Sequence, residues 1–256
     1  MQNRLSSLCL SLPVLATMTL VSLLGPGQAV AAKTLSESSL ETEIRPENPK
    51  NPWDHIGRLH NEGLDLMAEK IVGDPSLEKI SILSWQAAIE TTESYFGDAN
   101  VTELPLAGLA DVAASRSTAY PMLDDEQAAL LEDLVAVATQ PRLTAQGKIE
   151  AVAAFEAEIE HFLDAERAMP ILAAAAVGRY STAYWHSQKA ESSAWNLYPG
   201  TGAMEDLMKN IDPTVEADIR GAALGSIGGP KGTVLGGVIT SGFSALGRIG
   251  DHFGWW

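Results

Sequence analysis

Cysteine is almost missing: Cys9 is the only one in 256 residues, and it lies inside an N-terminal apolar run. Beyond that run there can be neither a disulfide nor thiolate chemistry, so packing must supply the stability. Positive charge is also scarce, with 17 Lys and Arg against 33 Asp and Glu and a formal net charge of −16. Such a balance excludes nucleic acid as a partner and disfavours anionic lipid, whose phosphates it would repel. No Gly-x-Ser-x-Gly elbow, His-Glu-x-x-His helix or phosphate-cradling loop occurs. Nucleophile-elbow and zinc-hydrolase chemistry therefore have no local support, and no metal or cofactor is expected. Alternating apolar and polar runs are absent as well. An all-α fold follows, an irregular helical bundle.

What is present begins with an address. Arg4 precedes an apolar run from Leu8 to Leu24, then Gly25-Pro26-Gly27 and the small residues Ala29 and Ala31. This predicts a signal peptide over residues 1–31 that is cut after Ala31, and a secreted or periplasmic protein; an uncleaved anchor is the alternative. Residues 32–50 are rich in Ser, Glu, Thr and Pro and read as a disordered leader. A single helical domain is then expected over 51–256.

Asn51-Pro52 marks a helix start, with Ile56, Leu59, Gly63, Met67 and Ile71 at helical spacing. Asp74-Pro75 repeats the device for one helix, or two short ones broken at Ser84, ended by Gly97, and a short helix is expected over Leu106 to Ser115. Further helices are predicted over Leu123 to Thr139, after a Thr144 cap along Ile149, Val152, Phe155, Ile159 and Phe162, and over Ile171 to Lys189. The last is apolar nearly all round at its start, as a central helix would be. Asp212-Pro213 launches a final pair that includes the Gly-rich segment 214–250.

Within that segment Gly221, Gly225 and Gly229 stand four residues apart, and Gly228, Gly232 and Gly236 repeat the spacing in a second register. A four-residue step keeps bare backbone on one helix face, a groove into which another backbone can press. Three readings stand: a helical hairpin packed on the bundle, a membrane-inserting segment over 221–247, and a flexible tail. Lys231 and Pro230 split the stretch into halves too short to cross a bilayer singly, which favours packing. Glycine inside the first helix, at Gly57 and Gly63, implies a close crossing there too, with the C-terminal glycine rows as natural partners.

The opening helix is dense in functional groups: Asp54, His55, His60, Asn61, Glu62 and Asp65. His55 and His60 are roughly 140° apart on an ideal helix, which disfavours a two-histidine metal site. His60 is either a buried histidine that pins the helix or a general base working with Asp54, Glu62 or Asp65, assisted by His161 or His186. Tyr180, Tyr184, Trp185, His186, Trp195 and Tyr198 crowd together and either fill a helix interface or stack on a ligand. Asp124-Asp125-Glu126 lacks the oxygen spacing of a calcium loop and reads as a solvated helix start.

Asn51, Pro52, Trp53 and Asp54, then Gly57, His60, Asn61, Gly63 and Leu64, and later Asp218, Gly221 and Ala222 form a pattern across both ends of the chain. It resembles a group of exported bacterial proteins of unassigned activity. The resemblance implies export and one connected architecture, and carries over no catalytic residue. The expected protein is thus non-enzymatic, its Gly-rich hairpin serving close helix packing or association with a protein partner. A membrane-active protein like the Gly-x-x-x-Gly bacteriocins, similar in spacing alone, is the first alternative; a hydrolase using His60 is the second.

Expressed in full in a bacterial host, the chain is expected to leave the cytoplasm and start within one residue of Ala32. Intact-mass measurement of the exported product checks the cut, and a product retaining Met1 in the membrane fraction would favour the anchor.

Overall fold

The computed structural model describes residues 44–72, 123–188, 193–196 and 200–254. The leader peptide, residues 32–43, the helices expected at 74–97 and 106–115, Tyr198 and the terminal tryptophans lie outside them. Among the described residues 79% are helical and none is in a strand, so the fold is all-α. The helices are α1 (Asp54–Val72), α2 (Asp125–Ala138), α3 (Ala145–Phe162), α4 (Ala165–Ser187), α5 (Ala203–Lys209), α6 (Asp212–Gly225) and α7 (Gly229–Phe253). A single 3-10 turn, Ser226–Gly228, joins α6 to α7.

Local chemistry sets the boundaries. Asp124 caps α2 by accepting the Glu126 and Gln127 amides, while Gln127 accepts the Asp124 amide in return. Thr144 caps α3 by accepting the Gly147 amide, and Asp164 caps α4 by accepting the Arg167 amide. Each cap satisfies donors that no helical carbonyl can reach. Asp212 departs from expectation: Ile211 occupies the cap position of α6, and the Asp212 carboxylate pairs with Lys148 instead. The solvated reading of Asp124 and Glu126 holds only in part, since both also bind Arg167.

Helix α4 is the axis. From Ala168 to Trp185 nearly every side chain is buried, because α1, α2, α3, α6 and α7 all pack around it. Its run of alanines permits that crowding, each small side chain letting a neighbour's backbone close in. On α3 the expected stripe holds at Ile149, Val152 and Ile159 and fails at Phe162, which is 53% exposed at the helix end.

The α6–α7 pair makes the closest contact. A Cβ at Gly225 would fall on the Gly232 carbonyl and lie 3.1 Å from the Gly236 Cα. One at Gly236 would strike the Gly221 carbonyl and lie 3.0 Å from the Gly225 Cα. Gly221 faces Thr240, whose hydroxyl bonds back to the carbonyls of Gly236 and Gly237. Gly228 and Gly229 do not extend the rows. They form the reversal, where Gly229 takes φ 67°, a left-handed value that glycine adopts without strain.

Three further differences separate expectation from structure. Gly57 does not meet the C-terminal glycines: its missing Cβ leaves room for Tyr180 and the Ala176 carbonyl on α4. Gly63 is buried on the same helix. Residues 44–50 belong to the folded part rather than to a disordered leader, since the Arg45 amide donates to Gln146 and Asn48 bonds both Asp54 and Glu156. Helix α5 lacks any apolar stripe long enough to announce it and is tied by Arg248, which donates to the carbonyls of Asn210 and Asp206.

Two alanine substitutions on α7 and its partner should act in opposite directions. Gly225→Ala forces the helix backbones apart and is expected to cost about 3 kcal/mol or more, since backbone cannot rotate away as a side chain can. Gly247→Ala meets nothing within 4 Å and is expected to stabilise by about 0.5–1 kcal/mol through helix propensity alone. Denaturant unfolding followed by circular dichroism measures both; equal effects would contradict the glycine contact.

Candidate functional site

The polar residues of the opening segment divide between two junctions. On one side of α1, Asp54, Gly57, Asn61 and Asp65 recur at three- and four-residue steps and face α4. Asp54 Oδ1 accepts from Arg179 Nη2 at 2.6 Å and from the Asn48 amide at 3.0 Å, and Oδ2 accepts from the Tyr180 hydroxyl at 3.1 Å. Asn61 Nδ2 donates to the Tyr180 carbonyl, and Asp65 accepts from the Tyr184 hydroxyl at 2.9 Å. All of these contacts except that of Asn48 hold α1 onto α4.

Arg179 is the centre of the first junction. It is wholly buried, and besides Asp54 it donates through Nε to Glu156 of α3 at 3.1 Å. Asn51 also donates to Glu156, at 2.7 Å, and to the Leu172 carbonyl at 2.9 Å. Asn51 Oδ1 meanwhile accepts the Trp53 amide at the start of the helix. Burial raises the Glu156 pKa, and the neighbouring Arg179 guanidinium works against that rise. The first turn of α1, the middle of α3 and the fourth turn of α4 are thus locked by one guanidinium.

The second junction holds His60. Its side chain has no solvent exposure, and neither has Asp218 of α6. His60 Nδ1 lies 3.1 Å from Asn61 Oδ1, and because Asn61 uses its amide nitrogen on the Tyr180 carbonyl, the imidazole is the donor. His60 Nε2 stands 3.7 Å from Asp218 Oδ2, beyond hydrogen-bond reach. That oxygen accepts from the Ser181 hydroxyl at 2.5 Å. Gly237 of α7 is where the imidazole edge fits, as a Cβ there would stand 2.9 Å from His60 Cδ2. Burial lowers the His60 pKa to about 4 and raises that of Asp218 to about 8.

The carboxylates proposed for His60 from sequence do not reach it. Asp54 and Asp65 serve α4, and Glu62 accepts from Arg58 on the outer face. Its acid is Asp218, far along the chain. The arrangement is also unlike a nucleophilic triad, in which the hydroxyl must donate to the imidazole. Here Ser181 donates to the carboxylate, and the whole group is closed to solvent.

The aromatic cluster is likewise internal. Trp185 is fully buried, edge-on to Tyr184 at 5.3 Å and 5.5 Å from Trp195, whose Nε1 donates to the Tyr184 hydroxyl at 3.0 Å. Burial with Asp54 nearby pushes Tyr180 up to about 12, and burial raises Tyr184 as well. His186 sits apart near the surface, its pKa lowered by burial and by Lys148. His161 is exposed. Among the described residues no group of three or more His, Cys, Asp or Glu could hold a metal ion.

Arg179, Glu156 and Ser181 escaped the sequence reading. One signal was available: an arginine directly after the apolar run 171–178 has to find a buried acid. Comparison with protein-family models, curated proteins and solved structures finds no match for the chain. The residues themselves are therefore what a function must be argued from.

Removing Arg179 should strand its partners. Arg179→Met is expected to destabilise by about 3–5 kcal/mol, because Glu156 is left buried without its cation. Adding Glu156→Gln to that variant is expected to recover part of the loss. Denaturant midpoints of the single and double variants check this, and additive losses would show that the two side chains do not act as a pair.

Proposed function

We propose that the protein is an exported, non-enzymatic helical domain that acts through contacts made by its exterior, with the Gly-rich hairpin as the internal element that holds the bundle together. The observation that carries this reading is the use made of the chemistry-bearing side chains. His60, Asp218, Arg179 and Glu156 are sealed between helices, and the hydroxyls of Tyr180 and Tyr184 are bonded to α1. A hydrolase needs its base beside an open pocket, and His60 has no surface to offer a substrate.

The hairpin supports the same reading. Helix α6 buries eleven of its 14 residues, and α7 is buried from Gly232 to Gly242 without interruption. Among the described residues no helix is long and apolar enough to cross a membrane. The Asp218 carboxyl lies on the hairpin's buried face and accepts from Ser181 of α4, and hydrocarbon would leave it without that partner. The net charge of −16 argues against a nucleic-acid partner and for a cationic or neutral protein surface.

The test is a vesicle assay on the mature chain from residue 32. Neutral and phosphatidylglycerol-containing vesicles loaded with a self-quenched dye are expected to retain it at protein-to-lipid ratios where a pore former empties them. Release above the protein-free baseline, altered by Gly225→Ala, would replace this proposal with the membrane-active one.

A further inference from the structure

Four helices bring uncharged or neutralisable groups to one sealed point: His60 from α1, Ser181 and Trp185 from α4, Asp218 from α6, and Ser241 from α7. Four buried atoms there have no hydrogen-bond partner: His60 Nε2, Asp218 Oδ1, Trp185 Nε1 and Ser241 Oγ. Trp185 and Ser241 lie near the Asp218 carboxyl and with Ser181 favour its charged form, against the larger opposing effect of burial. An ionised carboxylate at this point would have no cation beside it. On α1 the facing groups are His60 and neutral Asn61, with Asp65 behind Tyr184. On α4 they are Ser181, Tyr184 and Trp185, while Arg179 is committed to Asp54 and Glu156. Helix α7 has no charged residue between Lys231 and Arg248. On α6 itself Arg220 turns away to Glu132 and Glu216.

We propose that Asp218 and His60 form a pH-operated clasp, in which the buried carboxyl stays neutral beside the His60 imidazole and so lets the Gly-rich hairpin seat on α1 and α4, and in which alkaline loss of its proton loosens the hairpin. The proposal rests on the reading of the hairpin as an internal docking element. Its logic is that two fully buried groups share one proton with no net charge at the junction, whereas deprotonation leaves a buried anion among hydroxyls and an indole.

The sign follows from proton counts. In the unfolded chain Asp218 ionises near 3.8 and His60 near 6.5, whereas in the folded chain Asp218 holds its proton to about 8 and His60 is neutral above about 4. Between about pH 4 and 6.5 each state holds one proton on the pair, and the contribution to stability is level. Between 6.5 and 8 only the folded state holds it. The folding equilibrium constant therefore falls about tenfold per pH unit across that window and levels off above it.

The experiment follows the full mature chain by denaturant unfolding and by native-state hydrogen exchange of hairpin amides from pH 4.5 to 9.5, in wild type, Asp218→Asn and His60→Gln. Wild type should show a fall on the order of thirtyfold between pH 6.5 and 8, and wild type minus Asp218→Asn, in which His60 and the other titrating groups cancel, should fall about tenfold per pH unit from pH 4.5 to 8. His60→Gln should extend the fall below pH 6.5, which keeps the test alive if the asparagine variant does not fold. An infrared protonated-carboxyl band at pH 6 that His60→Gln retains and Asp218→Asn removes places the proton on Asp218. A level difference curve, or a wild type without that band, overturns the clasp. Hairpin amides protected at every pH with no such window overturn the clasp alone; amides unprotected at every pH overturn the docking reading with it.

Discussion

Backbone contact between α6 and α7 is the constraint from which the architecture follows. The Gly225 Cα and the position of a Gly236 Cβ are only 3.0 Å apart, a separation that no side chain larger than hydrogen permits. Axes brought this close leave the hairpin thin, with the remaining faces of both helices free to meet others. Helix α6 uses one such face on α4, where Ile219 occupies the space over Gly178. Helix α7 uses another on α1, where Gly237 admits His60 and Gly242 admits Met67. Small residues thus recur wherever two helices cross, and the large ones project from the opposite partner.

This division explains the composition of the opening helix. Functional groups packed so densely invite a catalytic interpretation, yet Asp54, Asn61 and Asp65 serve one neighbour and His60 another. A helix that must touch two neighbours along most of its length has little room for a solvent-facing stripe. The exposed positions are left to His55, Arg58, Asp65 and Glu69.

How far the fold could be read from sequence depended on the range of the interactions. The N-cap at Thr144 and the amphipathic run behind it concern neighbouring residues, and α3 follows from them directly. The burial of α4 was also legible, since four consecutive alanines followed by valine leave no polar face. Pairing was not. Arg179 meets Glu156 23 residues away and Asp54 at a separation of 125, and no local pattern says which acid a buried guanidinium will find. The glycine rows show the same limit: spacing revealed the sticky face and left open that Gly228 and Gly229 would turn the chain. Gly57 found α4 rather than the other glycines because Tyr180 and Ala176 supply a knob and a hollow of matching size.

Glycine contacts have one weakness that the polar groups correct. A surface repeating every four residues can slide by one repeat, about 6 Å along a helix, and meet glycine again. Gly221 and Gly225 against Gly232 and Gly236 have that freedom, and so little side-chain area lies between them that packing alone discriminates poorly. Asp218 has no such repeat. Its contacts with Ser181 and His60 exist in one register only, as does the two-pronged bond of Arg220 with Glu132 of α2. Because α7 is seated on α1 through Gly237 and Gly242, a slip of α6 along it by one turn would strand a buried carboxyl and free a guanidinium at once, a penalty of several kcal/mol. Close approach and correct register are therefore supplied by different residues: glycine allows the helices to meet, and the buried acid selects where.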